Sequence, residues 1–118
     1  MAYSRSLTMN DYQAEMATTA IYKWAVIYPA LGLANEAGEV LGKLKKLIRD
    51  NDVRFDGTKS LTDKQRAGLA AELGDVLWYI AALSRDLGVS LNEIAEINLE
   101  KLADRKARGK LIGSGDNR

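Results

Sequence analysis

The chain has 118 residues, the length of a single domain with one hydrophobic core. Its 17 Lys and Arg residues balance 16 Asp and Glu residues, so it lacks the excess positive charge typical of proteins that bind nucleic acid polymers. It contains no Cys and no His, which excludes disulfides, thiol nucleophiles, Ser-His-Asp triads and imidazole-based metal sites. Any chemistry must use carboxylates, Lys, Arg, Tyr or hydroxyl groups.

Two further features bound the class of protein. No run approaches the roughly 18 apolar residues of a membrane span, and the N-terminus lacks the basic start and apolar core of a secretory signal. We therefore expect a cytoplasmic protein without a membrane partner. Ala and Leu contribute sixteen residues each and Pro29 is the only proline, a composition that favours helices. The predicted fold class is all-α.

The first half of the chain predicts two helices and a loop. Polar capping candidates and helical spacing predict a first helix over residues 8–26, ending before Pro29. A second helix is predicted over residues 30–49, because its apolar residues fall on one stripe. Residues 50–60 are polar and without helical period, which indicates a loop. The stripe of the second helix comprises Leu33, Ala37, Val40, Leu44 and Leu47.

The second half predicts two more helices. Thr62 followed by Gln65 is a capping box and starts the third helix, whose C-terminal glycine is Gly88. Ser90 with Glu93 forms another capping box and starts the fourth helix. Four helices with short connections suggest a four-helix bundle. The apolar stripes are Leu69, Leu73, Val76, Ile80, Leu83 and Leu87 in the third helix, and Ile94, Ile97, Leu99 and Leu102 in the fourth.

An internal repeat carries acidic residues. Residues 32–44 read GLANEAGEVLGKL and residues 68–80 read GLAAELGDVLWYI, identical at seven of thirteen aligned positions. Each copy bears two acids three residues apart, which places them on one face of a helix. The first pair is Glu36 and Glu39, and the second is Glu72 and Asp75.

These four acids lie at the edges of apolar stripes. If helices two and three pack antiparallel about a local two-fold axis, the carboxylates converge, and small residues would let the backbones approach closely. Carboxylates about 6 Å apart repel by roughly 3 kcal/mol per pair at an effective dielectric constant near 20, so such a cluster needs a cation. Oxygen ligands alone favour Mg²⁺ or Mn²⁺. The small residues are Ala37, Gly38, Gly42 and Gly74.

A second interpretation of the acids stays open at this point. Acids at i and i+3 on exposed helix faces are common, and Glu39 with Lys43 has the spacing of an ordinary i, i+4 ion pair. The acids are then solvated surface charge. The residues alone do not decide between this interpretation and metal binding.

The motifs GLANEAGEV and ELGDVLWYI resemble the paired ExxE and ExxD motifs of the MazG-like all-α nucleoside triphosphate pyrophosphohydrolases. The resemblance spans roughly residues 10–106. It includes the fourth helix, where INLEKLADRKARG resembles the helix of this family that carries Asn, Lys and Arg, here Asn98, Lys101 and Arg105. It implies one MazG-like domain over residues 1–118, with a core over residues 8–106 and a basic, Gly-rich tail over residues 107–118.

The resemblance also implies an activity and a cofactor. Members cleave nucleoside triphosphates between the α and β phosphates, giving monophosphate and pyrophosphate, as homodimers or homotetramers. Glu36, Glu39, Glu72 and Asp75 would be the catalytic acids and would bind Mg²⁺, with Mn²⁺ as a substitute. The base that takes the proton from water stays open between a carboxylate, such as Glu36 or Glu39, and a hydroxide on the metal.

Contacts to the nucleotide follow less directly. Lys101 and Arg105 would hold phosphate oxygens, although cations also favour the last turns of a helix for electrostatic reasons. Asn98 would contact ribose or phosphate. Aromatic residues could stack on a base or belong to the core. The remaining candidates are Lys43 and Lys46 for phosphate and Gln13, Trp24, Asn35 and Tyr79 for the nucleoside.

The role of the tail and the identity of the substrate each leave more than one hypothesis open. The tail could close over a triphosphate or be a loose terminus. The leading function is control of the nucleotide pool through removal of particular nucleoside triphosphates. Hydrolysis of phosphoribosyl-ATP or dUTP on the same bundle is the second hypothesis. The third is a non-enzymatic helical interaction module, whose stability and activity would not respond to divalent metal.

Overall fold

The protein is all-α over residues 6–118, the part of the chain that the computed structural model describes. Four helices follow one another along the chain, and this described part has no strand. The predicted fold class and number of helices are confirmed. The helices are α1 (Met9–Ala17), α2 (Ile27–Asn51), α3 (Asp63–Asp86) and α4 (Leu91–Ala107).

The predicted capping boxes define two helix starts. The Thr62 hydroxyl accepts from the Gln65 backbone N–H at 3.2 Å, and the Gln65 side chain accepts from the Thr62 N–H at 2.9 Å. Ser90 and Glu93 make the same reciprocal bonds at 3.1 and 2.8 Å. Gly88 has φ +73° after the end of α3, a conformation that glycine adopts without strain. The local signals thus place the α3–α4 connection correctly.

The prediction of one helix over residues 8–26 is wrong. Helix α1 ends at Ala17, and an irregular connector, residues 18–26, leads into α2. Helix α2 begins at Ile27, so Pro29 lies in its first turn, where its missing N–H costs no intrahelical bond. Val26, the N-cap of α2, has φ +68°. Such a conformation is strained for a β-branched residue.

Helices α2 and α3 form an antiparallel pair. Gly32 faces the ring of Tyr79 at one end of the pair, and the Lys43 ammonium donates to the Gly68 carbonyl at the other. These two contacts set the register and bring the two copies of the repeat side by side with a local two-fold relation. Gly32 and Gly68 are themselves equivalent positions of the repeat.

Helices α1 and α4 pack on α3, and within the described residues neither contacts α2. The Gln13 side chain joins three helices, because it donates to the Ala81 carbonyl at 3.1 Å and accepts from the Leu91 N–H at 2.9 Å. The buried cluster at this junction is small. It consists of Met16, Ala81, Ala82 and Leu91.

The single chain leaves much apolar surface uncovered. The accessible surface is 8785 Å², whereas a compact protein of this mass exposes roughly 6,300 Å². The radius of gyration is 17.4 Å, against about 13.5 Å for a compact domain of this length. The predicted stripe of α4 does not face a core within the chain, and its residues Ile94, Ile97, Leu99 and Leu102 are exposed. A closed bundle is therefore not formed by one copy alone.

One helix is apolar enough to pass a simple test for membrane spans. Over an 18-residue window α3 reaches a mean hydropathy of 1.2, although only 17% of that window is buried. The expectation that no segment resembles a membrane span therefore does not hold for the hydropathy of α3. The test considers length and composition alone, and α3 carries Glu72 and Asp75 near its middle and packs against α2. The two acids weigh against a membrane span, because charged residues are rare and costly within a bilayer.

Candidate metal and nucleotide site

Three carboxylates converge between α2 and α3. Glu36, Glu72 and Asp75 each offer an oxygen atom, and these atoms lie within 4.8 Å of one another. Glu36 and Glu72 are half-buried and Asp75 is exposed. Glu39 is exposed and its carboxylate lies outside this group, although the register of the pair sets it opposite Glu72. Three of the four predicted acids are thus brought together.

Lys43 supplies the positive charge next to these acids. Its ammonium lies 2.6 Å from Glu72 Oε1 and also donates to the Gly68 carbonyl at 3.2 Å. The ion pair therefore crosses from α2 to α3 and does not join Lys43 to Glu39 along α2. Between residues 6 and 118, neither Glu36 nor Asp75 has an ion-pair partner. The cluster keeps an excess of negative charge.

This donor set suits a hard divalent cation. Magnesium takes oxygen ligands, uses one to a few carboxylates and leaves the other positions to water and substrate phosphate. Glu36, Glu72 and Asp75 supply three oxygens from two rigid helices, and the exposure of Asp75 leaves one side of the group open. The residues present therefore fit Mg²⁺ or Mn²⁺, and they do not fit a soft metal that requires thiolate or imidazole.

Two adjoining cavities lie beside the acids. A cavity of about 390 Å³ contains Glu36 and Asp75 in its wall. A second, of about 290 Å³, lies along the connector that follows α1. The two share Thr19, Trp78 and Tyr79, so the acids open directly into a largely aromatic space. The second cavity is also lined by Ile21, Tyr22, Lys23, Trp24 and Tyr28.

The aromatic rings of this space pack against one another. Tyr22 stacks on Tyr28 with ring centroids 5.1 Å apart and an interplanar angle of 16°. Trp78 meets Tyr22 edge to face at 6.2 Å and Tyr79 at 5.0 Å. The Trp78 indole N–H donates to the Thr19 hydroxyl at 2.9 Å. These contacts fix flat surfaces of the size on which a nucleobase stacks.

The pKa values of two tyrosines are raised in part by the charge of the nearby acids. A hydrogen bond with Tyr28 raises the pKa of Tyr79, and burial and the nearby Glu36 and Asp75 raise it further. Burial, followed by the charge of Asp75, raises the pKa of Tyr12. Both phenols therefore stay protonated at neutral pH, and their hydroxyl groups remain available as hydrogen-bond donors near the acids.

The opposite side of the acids is basic. Lys43 and Lys64 line a cavity of about 450 Å³ where the C-terminal half of α2 meets the start of α3. Thr62 and Gln65 belong to the same wall, so the cavity lies at the N-terminus of α3. The predicted phosphate ligand Lys46 is exposed and does not line this cavity. The positive end of a helix dipole and two ammonium groups favour anions here.

The predicted nucleoside contacts fall into two groups. Trp24 and Tyr79 line the aromatic cavity, and Asn35 is exposed on α2 next to Glu36 in sequence. Gln13 instead has both ends of its amide engaged in the bonds that join α1 to α3 and α4. In the structure, Gln13 therefore connects helices.

The predicted residues of α4 lie away from the acids within one chain. Asn98 and Lys101 are exposed, and none of the three lines the cavity with Glu36 and Asp75. Arg105 is 6% exposed, because the C-terminal tail, residues 109–118, folds over it. Its guanidinium donates to the Asp116 carbonyl at 3.0 Å, while its Nε has no hydrogen-bond partner among residues 6–118. The hydrogen bonds and ion pair of the tail within residues 6–118 join it to Arg105, Lys106 and Arg108 of α4 and its C-terminus.

The glycines expected to bring the helices together are not the ones that do so. A Cβ atom at Gly38, Gly42 or Gly74 would meet nothing within 4 Å. At Gly32 a Cβ would overlap the Tyr79 ring, so this position requires glycine. The close approach thus occurs at the first residue of the repeat and positions an aromatic side chain.

Sequence reasoning missed Tyr22 and Asp86. Tyr22 lies in the connector that was predicted to be helical, and its hydroxyl donates to the Asp86 carboxylate at 2.8 Å. The two residues are 64 positions apart, so no local pattern indicates their contact. The number of aromatic residues between positions 22 and 28 is the one signal that marked this segment.

Comparison with known proteins agrees with this geometry. A family model described as the MazG nucleotide pyrophosphohydrolase domain matches residues 29–109, which include both acid pairs and the whole of α4. The Gene 37 protein of Mycobacterium phage L5 is 44% identical over 115 residues, covering 91% of this chain and 96% of that protein. No solved structure gives a significant match. The chain therefore belongs to the MazG nucleotide pyrophosphohydrolase domain family.

Proposed function

We propose that this protein is a Mg²⁺-dependent pyrophosphohydrolase that cleaves nucleoside triphosphates between the α and β phosphates, releasing monophosphate and pyrophosphate. The observation that carries the proposal is the convergence of Glu36, Glu72 and Asp75 within 4.8 Å, at a position from which an aromatic cavity opens. Its role would be control of the nucleotide pool in the cytoplasm.

The acids would hold the metal. A divalent ion bound there would neutralise phosphate charge and acidify a water molecule for attack on phosphorus. Glu36 comes from α2 and Glu72 and Asp75 come from α3, so the ligands are held by two packed helices. Glu39 would be the fourth acid, because the repeat makes it the counterpart of Asp75. A carboxylate of this group would accept the proton that water loses.

The surroundings support one orientation of the substrate. The base would stack in the cavity bounded by Trp78, Tyr79 and Trp24. The β and γ phosphates would extend toward Lys43, whose ammonium already touches the acid cluster at Glu72. In this orientation the phosphates lie on the cationic side, because opposite charges attract, and the base lies on the aromatic side, because the rings stack.

A second copy of the chain would complete the assembly. The apolar residues along α4 are exposed, and the surface in excess of a compact domain is roughly 2,400 Å² per chain, enough for an obligate homodimer interface. Asn98 and Lys101 are exposed on α4, and α4 does not contact α2 within the described residues. Their proposed part in nucleotide binding therefore requires presentation by the partner copy.

The test of the activity is a panel of ribo- and deoxyribonucleoside triphosphates, with dUTP and phosphoribosyl-ATP included, incubated with and without Mg²⁺ or Mn²⁺. We expect monophosphate and pyrophosphate in equal amounts, only with metal. Diphosphate and orthophosphate would refute the cleavage position. A folded protein that turns over no member and is not stabilised by metal would indicate the interaction module, because saturation at 100 times Kd adds about 2.7 kcal/mol.

The test of the assembly is light scattering after size-exclusion chromatography. We expect a mass of two or four chains, and charged substitutions at Ile97 and Leu99, which are 59% and 65% exposed, should shift the mass toward one chain. A wild-type protein that elutes as a monomer at micromolar concentration would refute the second copy.

A further inference from the structure

The connector over residues 18–26 forms one wall of the aromatic cavity without being part of a helix. Its Tyr22 and Trp24 line the cavity together with Trp78 and Tyr79 of α3. Trp24 is 70% exposed, so burial does not fix its position. Tyr22 packs against the buried cluster, and polar contacts to α3 add to this packing.

Asp86, at the end of α3, makes two of those contacts with one oxygen atom. Its Oδ2 accepts from the Tyr22 hydroxyl at 2.8 Å and from the Val26 backbone N–H at 2.8 Å. The side chain is half-buried and spans 60 and 64 positions in sequence to reach these partners. Hydrogen bonds to a carboxylate are stronger than those between neutral groups.

The bond to Val26 holds a backbone that would otherwise relax. Val26 has φ +68° at the start of α2, and no side chain of its own caps that helix. A strained conformation persists only where its surroundings impose it. A negative charge at this helix start is also favourable toward the helix dipole. Asp86 therefore supplies from α3 the N-terminal contact that α2 lacks locally.

The bond to Tyr22 reaches the cavity directly. Tyr22 stacks on Tyr28 and meets Trp78 edge to face, so loss of its hydroxyl anchor would free a ring that is packed in the aromatic wall. Asp86 itself does not line the cavities that contain the aromatic rings and the acids. Its influence on a ligand must pass through Tyr22 and Val26.

We infer that Asp86 is a positioning residue that holds the connector as the wall of the nucleobase site and thereby sets the affinity for the nucleotide; the inference rests on the proposed function for the identity of the ligand. It acts on binding of the base and leaves the acids that hold the metal untouched. Asp86 lies eleven residues beyond Asp75, three turns along α3. Its removal should therefore separate KM from kcat.

The experiment compares Asp86→Ala and Asp86→Asn with the control Asp63→Asn, which removes the same charge from the exposed opposite end of α3. For the preferred triphosphate, we expect Asp86→Ala to raise KM about tenfold with kcat within about twofold, because a charged hydrogen-bond acceptor is lost. Asp86→Asn should recover part of the loss, since an amide oxygen still accepts. Mn²⁺ affinity without nucleotide should equal that of the wild type.

Amide hydrogen exchange of the same variants gives a second readout. We expect faster exchange confined to residues 19–28 in Asp86→Ala. Unchanged exchange there, an unchanged KM, or an equal fall in kcat and Mn²⁺ affinity would overturn the inference. If exchange accelerates but the wild type binds no nucleotide, the proposed function fails and so does the role in base binding, while the mechanical link from Asp86 to the connector stands.

Discussion

The two ends of the α2–α3 pair derive from the same repeated sequence and have become different surfaces. At one end Gly32 accommodates the ring of Tyr79, and at the other the equivalent Gly68 lies under the ammonium of Lys43. Tyr79 and Lys43 are themselves equivalent positions of the repeat. The pair of helices thus keeps its acids at the centre, and the exchange of Lys43 for Tyr79 makes one end cationic and the other aromatic.

The acids at the centre should have the largest effect. Asp75→Asn removes the charge and replaces one carboxylate oxygen of the cluster with an amide nitrogen, and we expect a loss of turnover of at least about 100-fold with the fold intact. Glu39→Gln should be as damaging if the repeat is functionally symmetric. Steady-state kinetics with Mg²⁺ titration and circular dichroism measure both. Normal turnover in Glu39→Gln would leave the metal to the three clustered acids.

The two glycines offer a matched pair of substitutions. Gly32→Ala must displace Tyr79, and we expect a loss of stability of about 1–3 kcal/mol together with weaker nucleotide binding. Gly68→Ala brings its Cβ no closer than 3.8 Å to Lys43 Nζ, so alanine should stabilise the helix by about 0.5–1 kcal/mol. Urea denaturation compares them. Equal effects at the two positions would show that the ends do not differ as described.

Product inhibition separates the two ends more finely. Lys43→Met should weaken inhibition by pyrophosphate about fivefold and leave inhibition by the monophosphate within about twofold, because the proposed orientation brings the β and γ phosphates, and not the monophosphate, toward this ammonium. Trp78→Leu should weaken inhibition by the monophosphate and leave inhibition by pyrophosphate nearly unchanged. Inhibition constants for the two products give the answer. The proposed orientation of the substrate is wrong if Lys43→Met affects the monophosphate more.

The smallest effect concerns alkaline pH. Burial and the hydrogen bond to Asp86 raise the pKa of Tyr22 from 10.0 to about 12. A pKa raised in the folded state gives stability that is complete below pH 10 and is lost as the pH rises through 12. Between these values the free energy of unfolding should fall less steeply in Tyr22→Phe than in the wild type. Parallel curves for the two proteins would contradict the assigned shift.

The features predicted correctly depend on contacts close in sequence. Thr62 and Gln65, or Ser90 and Glu93, bond to each other within one turn, and the repeat places its acids on helix faces without reference to the rest of the chain. These signals were sufficient for α3 and the start of α4, whereas the grouping of Glu36, Glu72 and Asp75 also depends on the antiparallel packing of α2 and α3.

The features predicted wrongly depend on distant partners. The helical spacing of residues 8–26 is real, but Asp86 holds Tyr22 and Val26 in a connector instead. The stripe of α4 indicated a core, yet the described part of one chain leaves Ile97 59% exposed. Burial of Arg105 required the tail to fold back by eleven residues. In each case the deciding contact lies outside the window that periodicity considers.

Few buried contacts hold the C-terminal tail over Arg105. No side chain of residues 109–118 is buried, and Ile112 is 94% exposed. The attachment includes hydrogen bonds from arginines to the carbonyls of Asp116 and Arg118, an ion pair between Arg105 and Asp116, and the backbone bond from Lys110 N–H to the Arg105 carbonyl. Segments with few buried contacts open locally at a small fraction of the global unfolding free energy. Trypsin should therefore cleave after Lys110 long before it cleaves within the helices. Each time the tail opens, the guanidinium of Arg105 becomes accessible to solvent and ligands.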